Sequence, residues 1–144
     1  MKKIACIAVG LMGLHAAAAN WVKVAETGSM SLLNGSIVEV DSASIRVRDG
    51  IRQAWSRQSF FPPMPSTVSP GKMRGSFAAL DLFDCKNDEF SGLQTIEYSL
   101  NYGLGDSGGS AANGRAESLR GMRSPVPGSV GAATLAYVCA HPLK

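Results

Sequence analysis

Residues 105–109 read Gly-Asp-Ser-Gly-Gly, the string that surrounds the nucleophile of chymotrypsin-like proteases. Such a serine needs a histidine base, a carboxylate that holds the histidine, and backbone N–H groups for the oxyanion. The chain has two histidines, His15 and His141. His141 stands three residues from the end, whereas those proteases place the histidine well before the serine. Ser107 also lies in a run, Gly103 to Gly114, with five glycines among twelve residues. Such strings arise there from composition alone, so the segment is read as a flexible loop. No catalytic residue is assigned.

Four carboxylates, Asp81, Asp84, Asp88 and Glu89, cluster around Cys85. Oxygen ligands suit calcium, but the order lacks the Asp-x-Asp-x-Asp-Gly pattern of a calcium loop. The group is read as a solvated acidic turn, with no metal and no cofactor. Glycoside hydrolysis needs only two acids at the right separation, and nothing in the sequence selects a pair. This leaves a small carboxylate-based hydrolase as a lesser reading.

The N-terminus reads as a signal peptide over residues 1–19. Met1-Lys2-Lys3 is a positive n-region and Ile4 to Leu14 an apolar run. Ala17 and Ala19 fit a small-x-small cleavage site before Asn20. The run is shorter than the roughly 20 residues that cross a bilayer. Cys6 falls inside the run, so it is discarded with the leader and the product is not a lipoprotein. The remaining segment, 20–144, reads as one domain without a membrane span. Its charge is nearly balanced: losing Lys2 and Lys3 turns 14 basic against 11 acidic residues into 12 against 11. No basic stripe remains to neutralise phosphates, which argues against nucleic-acid binding. Expected localisation is the periplasm or the medium. Two cysteines, Cys85 and Cys139, then remain, and in an oxidising compartment they read as a disulfide; two free buried thiols are the alternative.

Ser36 to Val40 is β-branched and predicts a strand. Ile45 to Arg48 alternates apolar and charged residues, predicting one buried and one wet face. Asp49-Gly50 tolerates positive φ at both positions and predicts a tight hairpin, with Ile51 to Phe60 returning and Ile51 and Trp55 on one side. Phe61 to Gly75 holds four prolines and two glycines; it is expected to be a long surface loop and no central strand. Ser76 to Cys85 reads as a buried strand. Leu93 to Leu100 reads as another, with Ile96, Tyr98 and Leu100 on one face. Ala116 to Met122 fits a short strand or a helical turn. Pro125 to Ser129 is a turn, and Ser129 is a candidate N-cap for a helix over Val130 to Ala140. That segment fits a final strand as well. As a helix it would bury Leu135, Val138 and Cys139.

Trp21 and Trp55 read as core or rim. Phe60 and Phe61 are consecutive on a strand, so they point to opposite faces. One exposed ring beside a loop would make a contact point for a protein partner.

Taken in order, several residues resemble the surface-adhesin E family of small exported bacterial proteins. They are Trp21-Val22-Lys23-Val24, Val40-Asp41-Ser42-Ala43-Ser44-Ile45, Asp49-Gly50, Trp55, Phe83-Asp84-Cys85, Pro127-Gly128-Ser129 and Cys139. The resemblance implies an antiparallel sheet with a helix near the C-terminus, hence an α+β class. It also implies a Cys85–Cys139 disulfide, and the family's named member is an adhesin that binds host matrix and plasma proteins. The aromatic expected shortly before Pro127 is absent, and Leu119 and Met122 occupy that region, so no ligand-binding residue is carried over. The function expected from all this is an exported, non-enzymatic binding protein that contacts host or envelope proteins. A periplasmic accessory subunit is the alternative.

Overall fold

A computed structural model describes residues 18–29 and 34–143. The expected leader lies almost wholly outside the described residues. Within them, β1 (Trp21–Ser29), β2 (Asn34–Asp41), β3 (Arg46–Arg48), β4 (Ile51–Pro65), β5 (Met73–Asp84), β6 (Glu89–Tyr98) and β7 (Ser107–Ala112) form one antiparallel sheet. The order is β1-β2-β4-β5-β6-β7, and β3 also pairs with β4. Every neighbour along that order is close in sequence, so the sheet is a meander. β2 and β3 share one flank of β4: β2 pairs with residues 56–61 and β3 with residues 51–53.

The Asp49-Gly50 hairpin forms as its residues dictate, with φ of 53° and 77° and Arg48 opposite Ile51. The expected buried face of that strand is reduced to Ile45, which is 6% exposed. Val47 is 52% exposed on β3, a three-residue flank paired with β4.

The proline-rich stretch departs from expectation. β4 continues through Phe61-Pro62-Pro63-Met64 to Pro65, and β5 begins at Met73, leaving a connection of seven residues. Pro62 and Pro63 are tolerated because β2 ends opposite Phe61 and pairing with β5 is interrupted between Ser59 and Met64. A residue that donates no ladder bond fits where the strand has lost its neighbours. The Phe61–Pro62 peptide bond is cis.

The glycine-rich run is likewise not all loop. Ser107–Ala112 becomes the edge strand β7, paired along β6. β6 itself ends at Tyr98; Leu100 leaves the strand and is 57% exposed. The buried side chain on this strand is Glu97, at 1% exposure, rather than the apolar set predicted around it.

Among the described residues, α-helix is confined to two pieces, α1 (Arg115–Arg120) and α2 (Val130–Ala140). Ser129 caps α2, its Oγ accepting from Ala132 N at 3.2 Å. At the other end the Arg52 guanidinium donates to the carbonyls of Val138 (2.7 Å) and His141 (2.6 Å), satisfying acceptors that a helix C-terminus leaves open. α2 lies on the sheet face that presents Val40, Ala54 and Phe83, and buries Leu135 and Val138 against them. Cys139 bonds Cys85, with Cα atoms 5.5 Å apart. Staple, cap and apolar contact thus fix both ends of α2 on one sheet face.

Candidate functional site

Part of the set that carried the resemblance, Asp41 to Ser44 with Trp55, forms a knot at one sheet corner. Asp41 Oδ1 accepts from Ala43 N (3.1 Å) and Asn20 N (2.7 Å). Ser44 Oγ donates to the Asp41 carbonyl (2.7 Å) and accepts from Trp55 N (2.9 Å). A short side chain that bonds its own backbone two or three residues away builds such turns. Asp84 works in the same way, accepting from Lys86 N, Asn87 N and Asn87 Nδ2. The Asn87 side-chain bond is the main cause that holds its carboxyl below the ordinary range.

The acidic cluster therefore separates into different tasks. Asp84 shapes the turn, and Asp88 occupies a positive-φ position at 56°. Glu89 pairs with Asp84 across the hairpin, and Asp81 faces elsewhere. Among the described residues, no three metal-ligating side chains converge.

Ser107 is exposed at the start of β7, opposite Tyr98. His141 is engaged through its carbonyl by Arg52 and through its ring by Tyr137, 5.8 Å between centroids. The glycines of the motif serve packing. A Cβ on Gly109 would lie 2.7 Å from Val68 Cγ2, so β7 can sit against the 66–69 turn only without a side chain there.

That turn is held by Glu97, which sequence reasoning did not single out. Its carboxylate accepts from Thr67 N (3.0 Å), Thr67 Oγ1 (2.7 Å) and Ser66 Oγ, and pairs with Arg74 Nη1 at 2.6 Å. Burial by itself would raise this carboxyl; the hydroxyl and amide donors and the Arg74 charge outweigh it and hold the pKa at about 2. The Arg74 guanidinium also lies over the Phe60 and Phe77 rings. Phe60 is accordingly packed away, at 7% exposure.

Phe61 points the other way and meets the Tyr102 ring edge-on, 6.2 Å between centroids. Tyr102 belongs to a 3-10 turn, Asn101–Gly103, that crosses the sheet face opposite α2. Ser59 Oγ accepts from Tyr102 N and Ser76 Oγ from Gly103 N, at 2.8 and 2.9 Å. Asn101 Nδ2 reaches the Phe60 and Gly75 carbonyls. Gly75 leaves the room: a Cβ there would lie 2.5 Å from the Leu100 carbonyl carbon. Arg57 completes the mount, donating to the Tyr102 carbonyl (2.9 Å) and to Glu39 Oε2 (2.7 Å). The outcome is a firmly held ridge whose outer surface is apolar: Leu100 is 57%, Leu104 60% and Tyr102 38% exposed.

A second feature lies on the α2 face. Between the sheet, the first turn of α2 and the Arg123–Ser129 segment runs a groove of about 520 Å³. Its lining is largely apolar, and Asp81 supplies the carboxylate of its floor. Asp81 accepts one bond, from Ser56 Oγ at 3.3 Å. Burial pushes its pKa up to about 7, and the serine bond offsets only part of that. Glu97 does not line this groove, so the two perturbed acids do not face one another across a shared pocket.

A capped helix stapled across a meander, with an apolar ridge opposite, defines a mainly antiparallel β domain with a C-terminal helix and one disulfide. The chain belongs to the surface-adhesin protein E family, whose model matches residues 21–140. It is similar to Haemophilus influenzae protein E in crystal form II, with 18% identity and a TM-score of 0.52 over 72% of this chain and 80% of that one. A second structure of protein E gives 16% identity and a TM-score of 0.51 over 72% and 76%. At these identities the likeness is one of fold. No curated protein sequence matches.

Proposed function

We propose that the protein is an exported, non-enzymatic, adhesin-like binding protein, and that it meets its protein partner through the ridge of Phe61, Leu100, Tyr102 and Leu104. Phe60 contributes through its backbone, its carbonyl accepting from Asn101 Nδ2. Membership of a surface-adhesin family supports the adhesin-like reading, and the Cys85–Cys139 bond fits the oxidising compartment that a leader cleaved before Asn20 would lead to. The carrying observation is the ridge itself. Tyr102 and the flanking Leu100 and Leu104 stand on a turn held by Ser59, Ser76, Arg57 and Asn101, and Phe61 meets the Tyr102 ring from β4. A contiguous apolar patch on a rigid mount is what a hot spot needs, since little ordering entropy is lost on docking.

The test is a pull-down from host matrix proteins and from envelope extract with the mature chain and with Leu100→Ser/Leu104→Ser. The reading expects the captured protein to be lost, by at least tenfold in affinity, in the double variant while the thermal midpoint is unchanged. Capture that survives both substitutions would remove the ridge from the interface. Capture from the envelope extract alone would favour the accessory-subunit reading.

A further inference from the structure

The groove beneath α2 is separate from the ridge, on the opposite sheet face, and its chemistry is different. Val38, Phe77, Ala79, Phe90 and Val130 give it apolar walls. Into this setting β5 places one carboxylate. Register puts Asp81 opposite Ala54 on β4 and Gly92 on β6, neither of which has a side chain that can donate to it. Ser56 Oγ is its hydrogen-bond donor, at 3.3 Å. The second oxygen, Oδ1, lies toward Gly92, where even a Cβ would sit 3.7 Å away.

The charged groups around the groove are few. Arg57 lines it, but its guanidinium is held on the opposite face between Glu39 and the Trp21 and Tyr102 rings. Arg123 stands exposed at the rim. α2 brings Val130, Gly131 and Thr134, β2 brings Val38, and β6 brings Thr95, none of them titratable. Glu97, farther along β6, is closed by Arg74 and the 66–69 turn. Arg52, two residues before Ala54 on the same face of β4, is turned to the Val138 and His141 carbonyls, so among the described residues no cation pairs with Asp81. A carboxylate in an apolar recess costs free energy unless a charge or donors reach it. A ligand ammonium supplies both, with three donors and one positive charge.

We propose that this groove is a binding site for a small apolar molecule carrying one protonated primary amine, the ammonium sitting on Asp81 and the apolar body on Phe77, Phe90 and Val130. The volume falls within the ordinary range for small-molecule sites, about 300–1,000 Å³. The apolar body gains by leaving water and the ammonium fixes its orientation. Because the free carboxyl is pushed up to about 7, the amine competes with a proton. Binding therefore strengthens as pH rises through neutrality.

The probe is phenethylamine, with 2-phenylethanol as the neutral counterpart, titrated into the disulfide-intact mature chain and followed by NMR. The site expects phenethylamine to shift resonances of Phe77, Phe90 and Val130, and to bind about tenfold more tightly at pH 8 than at pH 6. It expects the alcohol to bind at least tenfold more weakly at pH 8. Asp81→Asn, equal in shape, should remove the preference for the amine and its pH dependence. In the unaltered protein, saturating amine should move the Asp81 carboxyl titration to lower pH. The proposal is overturned if the amine and the alcohol bind alike, or if Asp81→Asn keeps the amine preference. It is overturned equally if the Asp81 titration does not move, or if no groove resonance shifts at millimolar amine. An affinity that falls as pH rises would identify a neutral acceptor bound to the protonated acid instead.

Discussion

The Arg57 guanidinium lies 4.2 Å from the centroid of the Trp21 ring, joining the central strand β4 to the edge strand β1 across β2. The same group pairs with Glu39 at 2.7 Å and lies 5.5 Å from the Tyr102 ring. Trp21, the first residue of β1, is thereby tied to the turn that carries the apolar ridge. Both ends of the ion pair are largely shielded, at 16% and 15% side-chain exposure. Removing Arg57 would leave Glu39 partly buried and unpaired. Arg57→Ala is expected to cost about 3 kcal/mol. Arg57→Lys keeps the charge but loses the planar stack, and is expected to cost about 1 kcal/mol. Urea midpoints followed by tryptophan fluorescence check both values and their order.

Cys85 and Cys139 close a loop across 54 residues. In the chain-entropy account a bridge of that span contributes about 4 kcal/mol. Reduction is expected to lower the thermal midpoint sharply. Amide exchange should accelerate first at Tyr137 to Ala140, because the bridge holds that end of α2 together with Arg52. Hydrogen-exchange mass spectrometry with and without reductant measures it. Equal protection in both states would mean that the Arg52 bonds alone suffice.

Two carboxyls give the stability curve opposite slopes. Glu97 is depressed to about 2 in the fold from an ordinary 4.5. Its contribution is present above 4.5 and is lost as pH falls from there toward 2. Asp81 is raised to about 7 from 3.8. Its contribution is complete below 3.8 and is lost as pH climbs to 7, after which it stays lost. Asp81→Asn is therefore expected to stabilise the ligand-free protein at pH 8, on the order of 2 kcal/mol, with no effect near pH 3.5. Glu97→Gln should destabilise by about 3 kcal/mol at pH 7, since Arg74 loses its partner, and by much less near pH 2. Denaturant titrations at those pH values decide the signs.

Asn20 N donates to Asp41 Oδ1 at 2.7 Å, and Asp41 is only 9% exposed. Cleavage before Asn20 would convert that amide into an α-ammonium already seated on a carboxylate. A chain that begins at Asn20 is expected to exceed one with an acetylated Asn20 by about 1 kcal/mol at pH 6. The gap should close above pH ~9, where the amine is neutral. Thermal melts of the two preparations test it.

Local chemistry was legible where one short segment settles the outcome. Asp49-Gly50 closes its hairpin because both residues accept positive φ. Ser129 caps α2 because its hydroxyl reaches an amide three residues on. Cys85 and Cys139 read as a pair on the expectation of a leader, and they are bonded; the same residues in order pointed to the family. The prolines of 61–65 and the glycines of 103–114 misled for a common reason. Each signals what a segment cannot do alone, whereas strand formation is decided by the neighbour that supplies a ladder. β4 outlasts β2 and bulges away from β5 at its prolines, and β6 recruits β7 although its residues have little intrinsic strand preference.

The site shows the same division. A period of two assigns side chains to faces, but not which face a helix covers. Once α2 is stapled over Val40, Ala54 and Phe83, Asp81 becomes the floor of an apolar groove, while Asp84, three residues on, stays a turn-builder. Glu97 is buried because Arg74, Ser66 and Thr67 reach it from 23 to 31 residues away. The sequence by itself determined the turns, the cap, the staple and the kinship, since these rest on backbone preferences and covalent chemistry within reach of a few residues. Only the tertiary structure decided which carboxylates are buried and which apolar side chains stand exposed, because burial belongs to the packing of distant segments.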